Sequence, residues 1–143
     1  MDILRDEWGI PHVFAEQEED GFFGLGFATA EDRILQMGLF RRRSNGRLAE
    51  VFGNALVTSD RKFRIAGIGT YCQAAAAALP SEVRSWLRGY AIGVNTFVLA
   101  HPETVRTRMA PLDVTLEPWT EAATRTRSRF EATRKEDRGG PRR

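Results

Sequence analysis

The sequence predicts an α+β protein, mostly helical, with a β-hairpin at its N-terminus, and three observations lead there. Two short segments with β-branched and aromatic content flank Trp8-Gly9-Ile10-Pro11; from Glu18 the apolar residues recur at steps of three and four; and a second stripe of that period opens after Pro80-Ser81. The early segments suit strands, and the later ones suit helices with one buried face.

Ile3 to Glu7 and His12 to Ala15 are the expected strands. Gly9 supplies an unusual φ, and Pro11 cannot donate to a ladder, so the four residues between the strands form the turn. Two strands alone are marginal in water, which predicts that the hairpin adds to a larger sheet. The first helix runs from Glu18 to about Arg43, with Phe23, Phe27, Ala30, Ile34, Met37 and Phe40 on one face. Gly24, Gly26 and Gly38 each weaken such a helix by about 1 kcal/mol relative to Ala. They therefore predict neighbouring backbone packed closely against it.

Asn45-Gly46 reads as the stop of that helix, and Arg47 to Phe52 as a short helical segment ending at Gly53-Asn54. A second long helix is expected from Thr58-Ser59-Asp60, any of whose side chains can cap free amides, through the Ala74 to Ala78 tract to Leu79. Ser81 is the expected N-cap of a third. Val83, Leu87, Tyr90, Val94 and Phe97 form its stripe, which runs to about Leu99. Beyond Ala100, Pro102, Pro111 and Pro118 predict an extended connector leading to Trp119.

A chain of 143 residues fits one domain. Its apolar share of 42% is ordinary, and no apolar run approaches the roughly 20 residues of a membrane span, so a membrane-spanning role is excluded. Met1 is followed by a charged, strand-like segment, and no secretory signal is expected; the compartment stays open, with export left to a longer form. Cys72 is the single cysteine and forms no internal disulfide.

Charge is unevenly placed. Residues 1 to 120 carry 13 Lys and Arg against 15 Asp and Glu, whereas residues 121 to 143 carry 8 against 4. The expected organisation is an ordered portion over 1–121 and a basic, disordered tail over 122–143, ending Gly-Gly-Pro-Arg-Arg and too poor in apolar residues to build a core.

Each residue that could carry chemistry also has a plainer reading. His12 beside Pro11 reads as a hydrogen-bonded structural histidine before a general base. Cys72 with His101 could be paired as nucleophile and base, but an Ala-rich helix without a cationic neighbour favours a packed thiol. Glu18, Glu19 and Asp20 suit a solvated helix start better than a cation site. Asp32 and Arg33, mid-helix, are expected to form a buried pair to another element, a structural device. Gly24-x-Gly26 lacks the strand and third glycine of a phosphate loop. Arg41-Arg42-Arg43 and the tail support an alternative class, a small structural or basic nucleic-acid-binding protein. Against it, Phe130 is the sole aromatic after Trp119.

A set of ordered blocks then resembles a known family. Arg5 to Ala15, Gly24-Leu25-Gly26-Phe27, Glu31-Asp32-Arg33 with Gln36-Met37, Arg42-Arg43 followed by Gly46-Arg47-Leu48-Ala49-Glu50-Val51-Phe52-Gly53, Tyr90 to Asn95, and Glu117-Pro118-Trp119-Thr120 are similar to the amino-terminal part of the penicillin acylase (penicillin amidase) family. The resemblance covers residues 2 to about 121.

It implies an N-terminal-nucleophile hydrolase with an αββα sandwich, made as a precursor that cuts itself before an internal Ser to leave an α chain and a β chain. The new terminal Ser attacks the substrate amide and its own α-amine serves as the base. Such an amine has an ordinary pKa of roughly 8, suited to that task near neutral pH. The implied reaction is hydrolysis of non-peptide carbon-nitrogen amides, such as β-lactam antibiotic side chains or N-acyl homoserine lactones. The implied partners are the β chain and a small-molecule amide, with neither membrane nor nucleic acid.

No residue here matches the family's nucleophile, oxyanion donors, acyl-pocket residues or calcium ligand. The expected catalytic, substrate-binding and metal-binding residues are accordingly none, and no cofactor is expected in this chain; calcium belongs to the full-length family enzyme. The chain is expected to be an α-chain portion, inactive by itself. The change of character after Glu121 is read as a frameshift.

Overall fold

The computed structural model describes residues 1–125. Strand β1, Asp2–Arg5, pairs antiparallel with β2, Pro11–Phe14, with Ile3 opposite Val13. The second strand keeps its expected length but starts one residue earlier, at Pro11, and the first ends sooner than expected because Asp6 leaves the ladder to organise the turn. Its Oδ1 accepts from the backbone N–H of Trp8 at 3.0 Å and of Ile10 at 2.8 Å, and its Oδ2 meets His12 Nε2 at 3.1 Å. The His12 contact first, then these amides, hold the Asp6 carboxyl below its ordinary range. Ile3 and Val13 turn inward and are half-buried, while Leu4 and Phe14 on the outer face are exposed. The hairpin is the only sheet among the described residues.

Helix α1, Glu18–Ser44, and helix α5, Ser81–Ala100, form the central pair. Their axes come together because glycines face backbone. A Cβ on Gly26 would run into the Tyr90 carbonyl, one on Gly93 into the Phe23 carbonyl, and one on Gly89 would stand 2.7 Å from the Glu19 carbonyl oxygen. The glycines that weaken α1 as an isolated helix thus create its main interface. Of the stripe expected on α1, Ala30, Ile34 and Met37 are buried and Phe23, Phe27 and Phe40 are half-buried. Gly26 is also buried against α5, Gly24 is buried against Met1 and Val13 of the hairpin, and Ala28 is buried as well. On α5, Tyr90, Val94 and Phe97 are buried as expected, and with Val105, Met109, Leu112 and Trp119 they complete the core.

Several expectations are corrected. Pro80 takes the cap position of α5 and Ser81 is its first helical residue, with no side-chain cap bond; the hydroxyl that matters is Ser85, which donates to Glu19 at 2.5 Å across the helix pair. The expected helix from residue 58 to 79 is two, α3 (Val57–Ile65) and α4 (Ile68–Ala77), broken at Gly67, whose φ is +62°. The proline-marked connector is instead helix α6, Pro102–Met109, followed by a 3-10 turn, Ala110–Leu112; Pro102 sits in the first turn of α6, where its missing N–H costs nothing. Residues 121–125 are helical with Ala123 buried, so order runs past the expected boundary at 121; the rest of the expected tail lies outside the described residues. Asp32 does pair with another element, Arg5 of β1 at 2.9 Å, but half-exposed, and Arg5 also meets Glu31 at 2.6 Å. Arg33 turns instead to Gln36, at a kink in α1 where its φ is −138°.

Asp60 caps a helix, though not its own. From within α3 its Oδ1 accepts from Leu48 N–H at 3.0 Å and its Oδ2 from Ala49 N–H at 2.7 Å, at the start of the short helix α2, Ala49–Phe52. Replacing Asp60 by Ala is expected to cost about 1–2 kcal/mol by stranding these amides. Urea denaturation followed by circular dichroism measures it, and Asp60→Asn, which retains one acceptor, should lose less.

Candidate functional site

The blocks near residues 41–53, 90–95 and 117–120 are far apart in sequence and meet at one place. Arg41, on the last turn of α1, donates from Nη1 to the Pro118 carbonyl at 3.0 Å and from Nη2 to the Glu117 carbonyl at 2.9 Å. Its guanidinium lies 5.2 Å from the centre of the Trp119 ring. From α5, Asn95 donates to the Trp119 carbonyl at 3.0 Å and accepts from the Trp119 N–H at 2.7 Å, as a strand would. Trp119 is 3% exposed, and its indole N–H donates to Thr124 Oγ1 at 3.1 Å.

Charges close the arrangement. Arg47 donates from Nη1 to Glu117 at 2.8 Å and from Nε to Glu50 at 2.7 Å. These bonds hold both carboxyls below their ordinary range and raise the Arg47 guanidinium above its own. Burial pushes Arg41 down, against the pull of nearby Glu117, yet a guanidinium stays charged at any physiological pH. The cluster is a clasp binding the segment 115–119 to α1 and α5. Its donors are committed to carbonyls and carboxylates, which suits it to holding backbone in place, and its carboxyls, held below their ordinary range, are weak bases.

The remaining candidates take structural places. His12 bonds to Asp6, and Cys72 is fully buried and forms no disulfide. His101 closes α5 with its ring 4.9 Å from Phe97. Glu18, Glu19 and Asp20 form the first turn of α1. Arg41 and Arg42 are buried, and Arg43 lies 5.2 Å over Phe63, so the arginine run does not present a phosphate-binding face. Among the described residues, no group of three or more His, Cys, Asp or Glu is placed to hold a metal ion, and no helix is long and apolar enough to cross a membrane.

A family model described as penicillin amidase matches residues 1–137. The chain belongs to the penicillin amidase family. Among penicillin amidase relatives, it is 39% identical over 117 residues to the penicillin acylase 2 proenzyme of Pseudomonas sp. (strain SE83), covering 82% of this chain and 15% of that one. It is 40% identical over 106 residues to the penicillin G acylase of Escherichia coli, covering 72% and 12%. It is also 34% identical over 105 residues to the acyl-homoserine lactone acylase PvdQ of Pseudomonas fluorescens (strain Pf0-1), covering 68% and 14%. The chain thus spans about a seventh of the length of these relatives.

The fold agrees. A thermostable penicillin G acylase from Alcaligenes faecalis matches with a TM-score of 0.80 and 33% identity, covering 95% of this chain and 74% of that one. The α+β portion described above is therefore that of a penicillin amidase, an N-terminal-nucleophile hydrolase. The family match continues to residue 137, past the point after Glu121 that reads as a frameshift, and gives that reading no support. The sequence displays Asn95, Glu117 and Arg47 as parts of family-like blocks but not what they do. An amide side chain on the flank of an otherwise apolar helix, as at Asn95, is the one available hint of a partner.

Proposed function

We propose that this chain forms the scaffold portion of an acylase that hydrolyses the carbon-nitrogen bond of a small-molecule amide, and that it is inactive without a nucleophile-bearing β chain. The observation that carries this reading is the clasp. Its polar groups are tied to one another and to backbone, which suits them to positioning structure, and its ion-paired carboxyls are weak bases. The exposed outer face of the hairpin, with Leu4 and Phe14, supports a sheet completed by another segment. The relatives' names support two substrate groups, β-lactam antibiotic side chains and N-acyl homoserine lactones.

The test compares the purified chain with the same chain co-expressed with the part of the Pseudomonas penicillin acylase 2 proenzyme that follows the matched region. A chromogenic phenylacetyl amide reports turnover. The chain alone is expected to give none, and the pair to co-purify and release chromophore. Turnover by the chain alone, or failure of the two to associate, defeats the reading.

A further inference from the structure

Arg42 is the least satisfied cation of the clasp. The residue is 6% exposed; its Nη2 donates to the Thr115 carbonyl at 3.2 Å, while Nε and Nη1 have no hydrogen-bond partner among the described residues. Arg41 and Arg47 each face a carboxylate, but no ion pair among the described residues holds Arg42. A buried guanidinium short of two acceptors is destabilising and calls for an anion.

An apolar groove runs beside it. Val98, Val105, Met109, Val114 and Leu116 line an open cavity of about 550 Å³ between the end of α5, α6 and the segment 113–116, a size usual for small-ligand sites. Gly38 joins groove and cation. A Cβ there would stand 3.3 Å from Met109 Cε and 3.4 Å from Leu116 Cδ1, both on the groove wall, and 3.8 Å from Arg42 Nη1. Because residue 38 has no side chain, these two apolar tips lie beside the guanidinium with room for no more than one carbon between them. Arg106, already paired with Glu103, and Asp113 lie on the groove's lining and roughly offset each other.

An apolar trough ending near an unsatisfied buried cation selects an anionic head on an apolar tail. We propose that this groove binds an apolar-tailed carboxylate, with its head on Arg42 Nε and Nη1 and its tail along Val98, Val105 and Met109. The flexible thioether of Met109 shifts to admit the head. This site is independent of the amide-hydrolysis reading.

The experiment titrates octanoate into the full chain and follows the urea midpoint, with octanol and octylamine at equal concentration as probes of tail and charge. Octanoate is expected to stabilise the chain and the other two to leave it unchanged. Arg42→Met removes the cation, and Gly38→Ala keeps it but fills the gap. Each is expected to weaken octanoate binding about tenfold or more, the loss expected for hydrogen bonds to a charged group. Gly38→Ala keeps the test decisive should Arg42→Met fail to fold. Equal stabilisation by octanol, or an undiminished octanoate response in Gly38→Ala, overturns the proposal.

Discussion

Gly93→Val is expected to destabilise the chain by about 3 kcal/mol or more, at the upper end for an overpacked core position. A Cβ at residue 93 would collide with the Phe23 carbonyl and stand 2.9 Å from both the Phe23 carbonyl carbon and Phe27 N. Backbone of α1 cannot swing aside as a side chain would, so α1 and α5 must separate. Separation also loosens Gly26 from Tyr90 and the edge-on contact of Phe27 with Phe97, whose rings are 5.4 Å apart. A domain of this size is held by only about 5–15 kcal/mol, so the loss is a large share of the total. Urea denaturation by far-UV circular dichroism measures it; an unchanged midpoint would mean the two helices do not approach as described.

Trp119→Ala is the second large effect, about 3–5 kcal/mol. The ring is buried, and its removal leaves a cavity under the Arg41 guanidinium and frees Thr124 from its indole donor. The Asn95 bonds run through the Trp119 backbone and survive the substitution, so the loss reports ring packing. Trp119→Phe separates the parts further. It keeps an aromatic face for Arg41 and removes the indole bond and some volume, and should cost about 1–2 kcal/mol. Equal losses for Ala and Phe would show that the hydrogen bond to Thr124, and not packing, is what Trp119 supplies.

The long elements were legible because their chemistry is periodic. α1 and α5 announce themselves through stripes, and the hairpin through Gly9 and Pro11 around a turn. The break at Gly67 was not legible, since an Ala-rich stretch reads as helix on either side and one glycine is only a modest penalty. α6 was missed because Pro102 reads as a breaker, although proline is welcome in a first helical turn. Asp60 shows another limit: its type marks it as a cap, but the amides it serves belong to a helix that precedes it. At the clasp, Arg41 and Arg42 read as surface cations because nothing local shows that the carbonyls receiving them come from residues 115, 117 and 118. The family resemblance located the blocks; the coordinates supplied their roles.

The bond from Arg41 to Pro118 spans 77 residues, which has a consequence during synthesis. A ribosome adding about 5–20 residues per second delivers α1 roughly 4–15 s before its last partner emerges. Until α5 emerges the nascent helix shows Ile34 and Met37, and its two guanidinium groups wait longer, for residues 115–118. The helix pair therefore closes over its apolar face before the arginines find their carbonyls.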